Sequence, residues 1–465
     1  MIDKQLLEDT IAAVATPVGR AGIGIIRISG SRACHIAKRI FRPHFPTKEL
    51  LSHRLYLGHI IDPATETTMD EVLLSIMKAP CSYTREDVVE VNSHSGHLVL
   101  SKILEIIMGE GARIAKPGEF TFRAYINGRI DLTQAEAVVD LINSQSDRGL
   151  QLATQQMAGA LKKEIEAFRN MLLDILAQIE AAIDFPDDEP AIISRDQTVD
   201  MLQKELLDPI QRIISAHAQR KIWMDGVNTV IVGRVNVGKS SLLNRLIDEK
   251  KAIVTPIPGT TRDVIEATVH MGGIPLRLMD TAGFRKVRGK VERIGIRLTE
   301  QKLSEADLPL ILIDQSRPLS QEDLDILDRS DKDKALIIVN KADLPSKLEK
   351  GDLEKAAGDI PMVKISALTG EGIEELRSAI VDRLLSGETD FMSSNRAVPN
   401  LRHKEALQEV SRLLKTATEN LRADLPLDIV AVDLQGGVEA LGEIIGETTH
   451  EDLLDRIFSR FCLGK

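Results

Sequence analysis

The chain has 465 residues, 43% of them hydrophobic, which is enough for ordinary cores in about three domains. Its cysteines, Cys34, Cys81 and Cys462, lie far apart, which excludes a disulfide framework and a Cys-rich zinc site. The net charge of −11 argues against a basic coat, so any nucleic-acid substrate must be held by local patches or by a partner.

The start is polar and acidic, and no apolar run approaches about 18 residues. A soluble, cytoplasmic protein with no membrane association is expected. Over residues 1–120, β-rich runs at 24–29, 72–77 and 87–91 alternate with helical spacing at 98–108, the pattern of an α+β domain. Residues 121–221 turn helical. Leu161, Ile165, Phe168, Leu172, Ile175 and Ile179 recur at three and four, and the acidic, proline-containing run 184–190 breaks that helix before a second amphipathic stretch at 199–222.

Residues 222–385 read as a nucleotide-binding domain. Apolar residues 229–232 predict a buried strand. The following run, Gly233 to Ser240, fits G-x-x-x-x-G-K-[ST] and leads into helical spacing at 241–246. Backbone N–H groups around Asn236, Val237 and Gly238 would face phosphates, Lys239 would supply a mobile charge, Ser240 would ligate Mg²⁺, and Ser241 opens the helix. The loop Thr255, Pro256, Ile257, Pro258, Gly259, Thr260, Thr261 follows. Then Asp280, Thr281, Ala282, Gly283 ends the strand 276–279, with Asp280 reaching Mg²⁺ through water and the Gly283 N–H sensing a γ-phosphate. Asn340, Lys341 and Asp343 follow the strand 335–339, and an aspartate there accepts from the N1–H and N2 amine that guanine has and adenine lacks. Ser366, Ala367 and Leu368, after the strand 363–365, complete a guanine pocket. Four motifs in this order predict GTP binding.

Hydrolysis is less direct. Ras-like switches orient the attacking water with a glutamine after D-x-x-G, where this chain has Phe284, which cannot hydrogen-bond water. Glu292 is the polar candidate, although it also suits the first turn of a helix. Arg262 and Arg285 lie in the switch segments, but no motif marks either as a finger. The Asn236 amide and the carbonyls of loop 255–261 would hold a monovalent cation beside the phosphates instead. After about residue 386 helical patterning resumes at 401–421, 427–434, 438–445 and 451–461. The expected fold class is therefore α/β and α. It comprises an N-terminal α+β domain, an all-helical domain from two chain segments (121–221 and 386–465), and an inserted Ras-like P-loop GTPase domain, a mixed sheet flanked by helices. Two separate helical domains are the alternative.

Essentially all of residues 10–465 resembles the tRNA modification GTPase family MnmE (TrmE). The resemblance rests on Ala15 to Gly30, Pro117 to Ala124, Asp131 to Ala137, Asp184 to Pro186, Thr260 to Asp263, Val291 to Gly295 and the terminus Leu453 to Lys465 with its Cys-Leu-Gly-Lys end. It implies a homodimer formed through an N-terminal tetrahydrofolate-binding domain and a heterotetramer with a flavin (FAD)-dependent partner of the MnmG (GidA) type. It also implies GTP-dependent construction of an aminomethyl or carboxymethylaminomethyl group on C5 of the wobble uridine in certain tRNAs. The one-carbon donor would be 5-formyl- or 5,10-methylene-tetrahydrofolate. Carried over by position, Asn236, Thr255, the Ile257 carbonyl and Thr260 would hold a stimulating K⁺, Ser240 and Thr261 would hold Mg²⁺, and Glu292 would orient the water. Arg27, Glu90, Arg129 and Lys465 match folate-contacting positions. A carboxylate suits the 2-amino and N3–H donors of a pterin, and the cations suit its carbonyl and glutamate tail. Cys462 matches a cysteine needed for modification, in a segment where a lone thiol also serves as a small packing residue.

The chain departs from the family at four places, one of them Arg129, where relatives have lysine. Ser95 and Arg85 stand where relatives have glycine, and 434–440 lacks the usual Arg-Glu-Ala. The other class of function compatible with the nucleotide motifs is a ribosome-assembly or signalling GTPase, a nucleotide-controlled binding switch. It leaves the N-terminal segments and the terminal Cys-Leu-Gly-Lys without a purpose.

Overall fold

The computed structural model describes residues 9–17, 19, 21–186, 192–247, 267–279, 303, 305–349, 351–385, 398–448, 451–461 and 464, with backbone alone at 219, 267, 451 and 452. The chain forms two compact units, one of Met1–Ile142, Thr154–Arg212 and Leu401–Lys465, the other of Asn143–Ala153 and Ile213–Asn400.

The first unit holds a seven-stranded sheet of β1 (Ile11–Val14), β2 (Gly24–Ser29), β3 (Phe41–Pro43), β4 (Arg54–Ile61), β5 (Thr68–Met77), β6 (Val88–Ser93) and β7 (Arg113–Ile114), in the order β3-β4-β5-β6-β2-β1-β7. Neighbours are antiparallel except β1 with β7. Alternation along the strands sorts side chains to two faces. Ile26, Ile28, Val89, Val91, Leu74 and Ile76 point into a core shared with Ile36 and Ile40 of helix Ala33–Ile40 and with Ile103 and Ile107 of helix His97–Gly109. Arg27 and Glu90 fall on the opposite face, directly paired in the β2–β6 register.

Helices Ala160–Asp184, Leu401–Arg422 and Leu427–Ile445 pack together in the same unit, so segments more than two hundred residues apart share one core. Leu427–Ile445 is one helix, although Gly436 and Gly437 divide its pattern into two stretches in the sequence. The helices approach closely at Gly437, where a Cβ would lie 3.0 Å from Leu172 Cδ2 and would need that side chain to shift by a few tenths of an ångström. The C-terminal aromatic cluster of Phe458 and Phe461 packs on Leu132, Ala135 and Val138, and the Tyr125 hydroxyl donates to the Gly446 carbonyl at 2.5 Å.

The second unit is a six-stranded sheet in the order β13-β12-β11-β8-β10-β9, from β8 (Val227–Val232), β9 (Ala267–Met271), β10 (Ile274–Met279), β11 (Leu308–Asp314), β12 (Leu336–Asn340) and β13 (Met362–Lys364). All neighbours are parallel except β9 with β10. The central strands are apolar on both faces, as a sheet covered by helices requires. This is the P-loop GTPase arrangement, with the loops that carry the motifs at the carboxyl ends of the strands. Among the described residues no helix is long and apolar enough to cross a membrane.

Candidate functional site

Two clusters of chemistry-bearing residues stand out, one in each unit. In the sheet of the second unit, β8 ends at Val232 and the chain turns through Gly233 into helix Lys239–Ile247. Asn236 at φ 65° and Gly238 at φ 105° hold the turn in left-handed conformations that aim successive backbone N–H groups inward. Gly238 also has no room for a side chain, since a Cβ would lie 2.2 Å from Asn340 Nδ2. Lys239 Nζ folds back to the carbonyls of Gly233 (2.5 Å) and Arg234 (2.7 Å). Burial lowers its pKa, and the negative charge of Glu322 only partly opposes this. A phosphate beside the ammonium would favour the charged form again.

The loops after β12 and β13 are joined to this cradle. Asn340, at the end of β12 and 2% exposed, donates to the Val237 carbonyl at 2.7 Å and accepts from the Ala367 N–H at 3.0 Å. Ser366 donates to Asp343 Oδ1 at 2.5 Å, which fixes the orientation of that carboxylate. Lys341, at φ 66°, donates to Asp314 Oδ2 at 2.5 Å. Burial disfavours the Asp314 carboxylate, but Lys341 and the Ser316 hydroxyl and N–H outweigh it and hold the carboxyl below its ordinary range. Gln315 donates to the carbonyls of Lys341 and Leu344, so Asp314 and Gln315 brace the loop from the next strand. Leu368 is exposed, and its carbonyl accepts from Arg245 at 2.6 Å. Ser240 and Ser241 open the helix beside Lys239. Thr255, Pro256, Ile257, Pro258, Gly259, Thr260, Thr261, Asp280, Thr281, Ala282, Gly283 and Glu292 lie outside the described residues.

In the first unit, Arg27 Nε donates to Glu90 Oε1 at 2.8 Å on the face of the sheet turned away from the core. Its Nη1 donates to the Gly464 carbonyl at 3.3 Å, and its guanidinium lies 5.8 Å from the Tyr83 ring centre and 5.6 Å from that of Phe120. Arg129 stacks on the same Tyr83 ring at 4.7 Å and donates to the Tyr83 carbonyl at 3.2 Å. Two cations and a carboxylate thus gather around Tyr83, with the chain terminus beside them. Gly464 is there for reasons of space, because a Cβ would meet the Val14 carbonyl at 2.5 Å. Cys462 and Lys465 lie outside the described residues.

The same unit holds an ion network built on the buried Arg123. Arg123, 1% exposed, pairs with Asp9, Glu86 and Glu119, and Arg113 bridges Asp9 and Glu119. For Glu119 and Asp9 burial resists ionisation, yet the arginines prevail and hold both carboxyls below their ordinary values.

Motif reading missed Tyr83, Phe120 and Asp314, since a single aromatic or a strand-end aspartate carries no spacing signal. The departures from the family pattern are accommodated differently. Arg85 sits at φ 60°, where glycine is favoured, and donates to the Asn127 carbonyl at 2.9 Å. Ser95 keeps an ordinary negative φ, donates to the Ala21 carbonyl and accepts from the Ala21 N–H at 2.8 Å, tying down the loop before β2.

Comparison with known proteins agrees with this layout. A family model described as the MnmE helical domain matches residues 132–462, and one described as the GTP-binding protein TrmE N-terminus matches residues 10–129. The tRNA modification GTPase MnmE of Alkaliphilus oremlandii is 44% identical over 461 residues, covering 99% of this chain and 100% of the relative. The proteins of the same name from Alkaliphilus metalliredigens and Geobacter metallireducens are each 45% identical, over 464 and 460 residues, at the same coverage of both chains.

Proposed function

The chain belongs to the MnmE (TrmE) family of tRNA modification GTPases, and on that premise we propose that it hydrolyses GTP to serve the remodelling of the wobble uridine in certain tRNAs. The reading is that an aminomethyl or carboxymethylaminomethyl group is built on C5 together with a flavin-dependent partner of the MnmG type. One observation carries it furthest: a single chain holds both a guanine-reading phosphate cradle and, in its other unit, the Arg27–Glu90–Tyr83 cluster.

In the cradle, the backbone N–H groups at 236–240 bind the phosphates, Lys239 gives up its carbonyl partners to reach them, and Asp343 fixes the base. Ser240 with Thr261 would hold Mg²⁺, whose charge offsets that of the phosphates. Asn236, already left-handed, with Thr255, the Ile257 carbonyl and Thr260 would hold K⁺ beside them. Glu292 is the residue proposed to orient the water.

The residues around Tyr83 fit a pterin. Glu90 offers a carboxylate to paired N–H donors, Arg27 keeps further guanidinium donors beyond those bound to Glu90 and Gly464, and the Tyr83 and Phe120 rings give an apolar wall. Arg129 and Lys465 would meet the anionic tail. A tetrahydrofolate bound there supplies the one-carbon unit. Cys462 is placed by the chain order two residues before Gly464, and its chemical role is part of the proposal.

Nucleoside mass spectrometry of bulk tRNA, from cells lacking the gene and from cells with it restored, tests the reading. Loss and return of 5-aminomethyl-type uridines is expected. An unchanged profile would leave a GTPase whose output lies in ribosome assembly or signalling.

A further inference from the structure

We propose that helix Ala33–Ile40 and the loop that follows it form an RNA-docking surface on the first unit. Residues 31–48 contain five Lys and Arg and no Asp or Glu, a local charge of +5 in a chain whose total is −11. The fold turns these charges outward. Ala33, Ile36, Ala37 and Ile40 bury one side of the helix, which leaves Arg32, His35, Lys38 and Arg39 exposed on the other, with Arg42 just beyond its end.

Arg32 and Arg42 are held in place by carbonyls rather than cancelled. Arg32 donates to the Glu110 carbonyl at 3.0 Å, and Arg42 donates to the carbonyls of Lys38 and Arg39 at 3.4 and 3.3 Å. A carbonyl orients a guanidinium without neutralising it, and each guanidinium keeps further donors for phosphate oxygens. Among the described residues Arg39 is the member that takes a carboxylate, that of Glu110.

An exposed aromatic adjoins the charges. Phe45 is 72% exposed in a chain with only ten phenylalanines, and the His44 ring meets it edge-on at 4.9 Å between centres. A solvent-facing ring beside a basic stripe suits an unpaired base stacked next to its backbone, the mode by which looped or single-stranded RNA is recognised. The partner is therefore a looped RNA, and its identification as tRNA rests on the function proposed above.

The test is fluorescence anisotropy of labelled bulk tRNA against the full-length protein across a salt series. Two variants are compared: Lys38→Glu with Lys48→Glu, and Phe45→Ala. The charge variant is expected to bind about tenfold or more weakly, with a salt slope smaller by about 0.7 to 0.9 for each phosphate it no longer neutralises. Phe45→Ala is expected to weaken binding about fivefold or more with the slope unchanged. Folate binding and GTP turnover stay at wild-type levels in both, which shows that the variants fold. Wild-type affinity and slope in both variants, or no binding of tRNA by the parent at low salt, would overturn the surface. If those variants also restore modified uridine in the deletion strain, the surface fails while the proposed function stands. If the parent restores none, it is the function that fails.

Discussion

Asn340 links the two halves of the nucleotide cradle: its Nδ2 donates to the Val237 carbonyl in the phosphate loop and its Oδ1 accepts from Ala367 in the base loop. The side chain is buried, so neither partner can turn to water instead. Asn340→Ala leaves a buried carbonyl and a buried N–H unpaired, at about 1 to 3 kcal/mol each. We expect GTP affinity to fall tenfold or more by fluorescent-nucleotide titration, with the rest of the chain still folded by circular dichroism. Asn340→Asp keeps the acceptor to Ala367 but sets a buried carboxylate oxygen against the Val237 carbonyl, and it is expected to fall at least as far as Asn340→Ala. Equal affinities in all three would remove the linking role.

Glu90 offers the complementary test in the other unit. Glu90→Gln keeps the shape but loses the charge, and Glu90→Ala loses both. Binding of 5-formyltetrahydrofolate by calorimetry is expected to drop at least tenfold in Glu90→Ala and less in Glu90→Gln. GTP turnover without folate is expected to be unaffected. Undiminished binding in Glu90→Ala would place the pterin elsewhere.

Asn236, left-handed in the loop between β8 and helix Lys239–Ile247, is the basis for a salt dependence expected of the GTPase. Turnover in K⁺ is expected to exceed that in Na⁺ severalfold, and Asn236→Ala is expected to erase the difference. Identical rates in the two salts for the parent protein would sink the cation site.

The Arg113–Arg123–Asp9–Glu119 network makes the first unit acid-sensitive. The two carboxyls are held below ordinary values of 3.8 and 4.5, so they bind fewer protons folded than unfolded. Their stabilisation is present above about pH 4.5 and is lost as pH falls through the depressed folded values. Arg123→Met takes the buried cation from Glu86 and leaves Asp9 and Glu119 to Arg113 alone, and it is expected to destabilise by up to about 3 kcal/mol at neutral pH. In urea denaturation across pH 7 to 3, the variant's stability should fall less steeply than the parent's, because its carboxyls titrate closer to their ordinary values. Parallel curves would mean that the network does not govern the acid response.

Much of the nucleotide cradle is legible in the order of residues alone. Its chemistry is local: glycines for left-handed turns, a lysine and serine at a helix start, and an apolar run that can only be a covered strand. The cluster of Arg27, Glu90 and Arg129 is legible only through resemblance. Arg27 and Glu90 each sit at an outward position of a strand, and nothing within either strand says that the two are neighbours. Tyr83 carries no signal because its importance lies in the two arginines that meet over its ring from positions 27 and 129.

By itself, then, the sequence determined the motifs, their order, the strand–loop–helix that presents Lys239 and Ser240, and the inward or outward side of each strand residue. Those depend on backbone conformations and periodicities that a few adjacent residues dictate. Tertiary structure decided the pairing of Arg27 with Glu90 across 63 residues, of Asn340 with Val237 across 103, and of Arg27 with Gly464 across 437. Such contacts form only once apolar faces have chosen their partners and closed the intervening loops, a cooperative outcome that no local pattern contains.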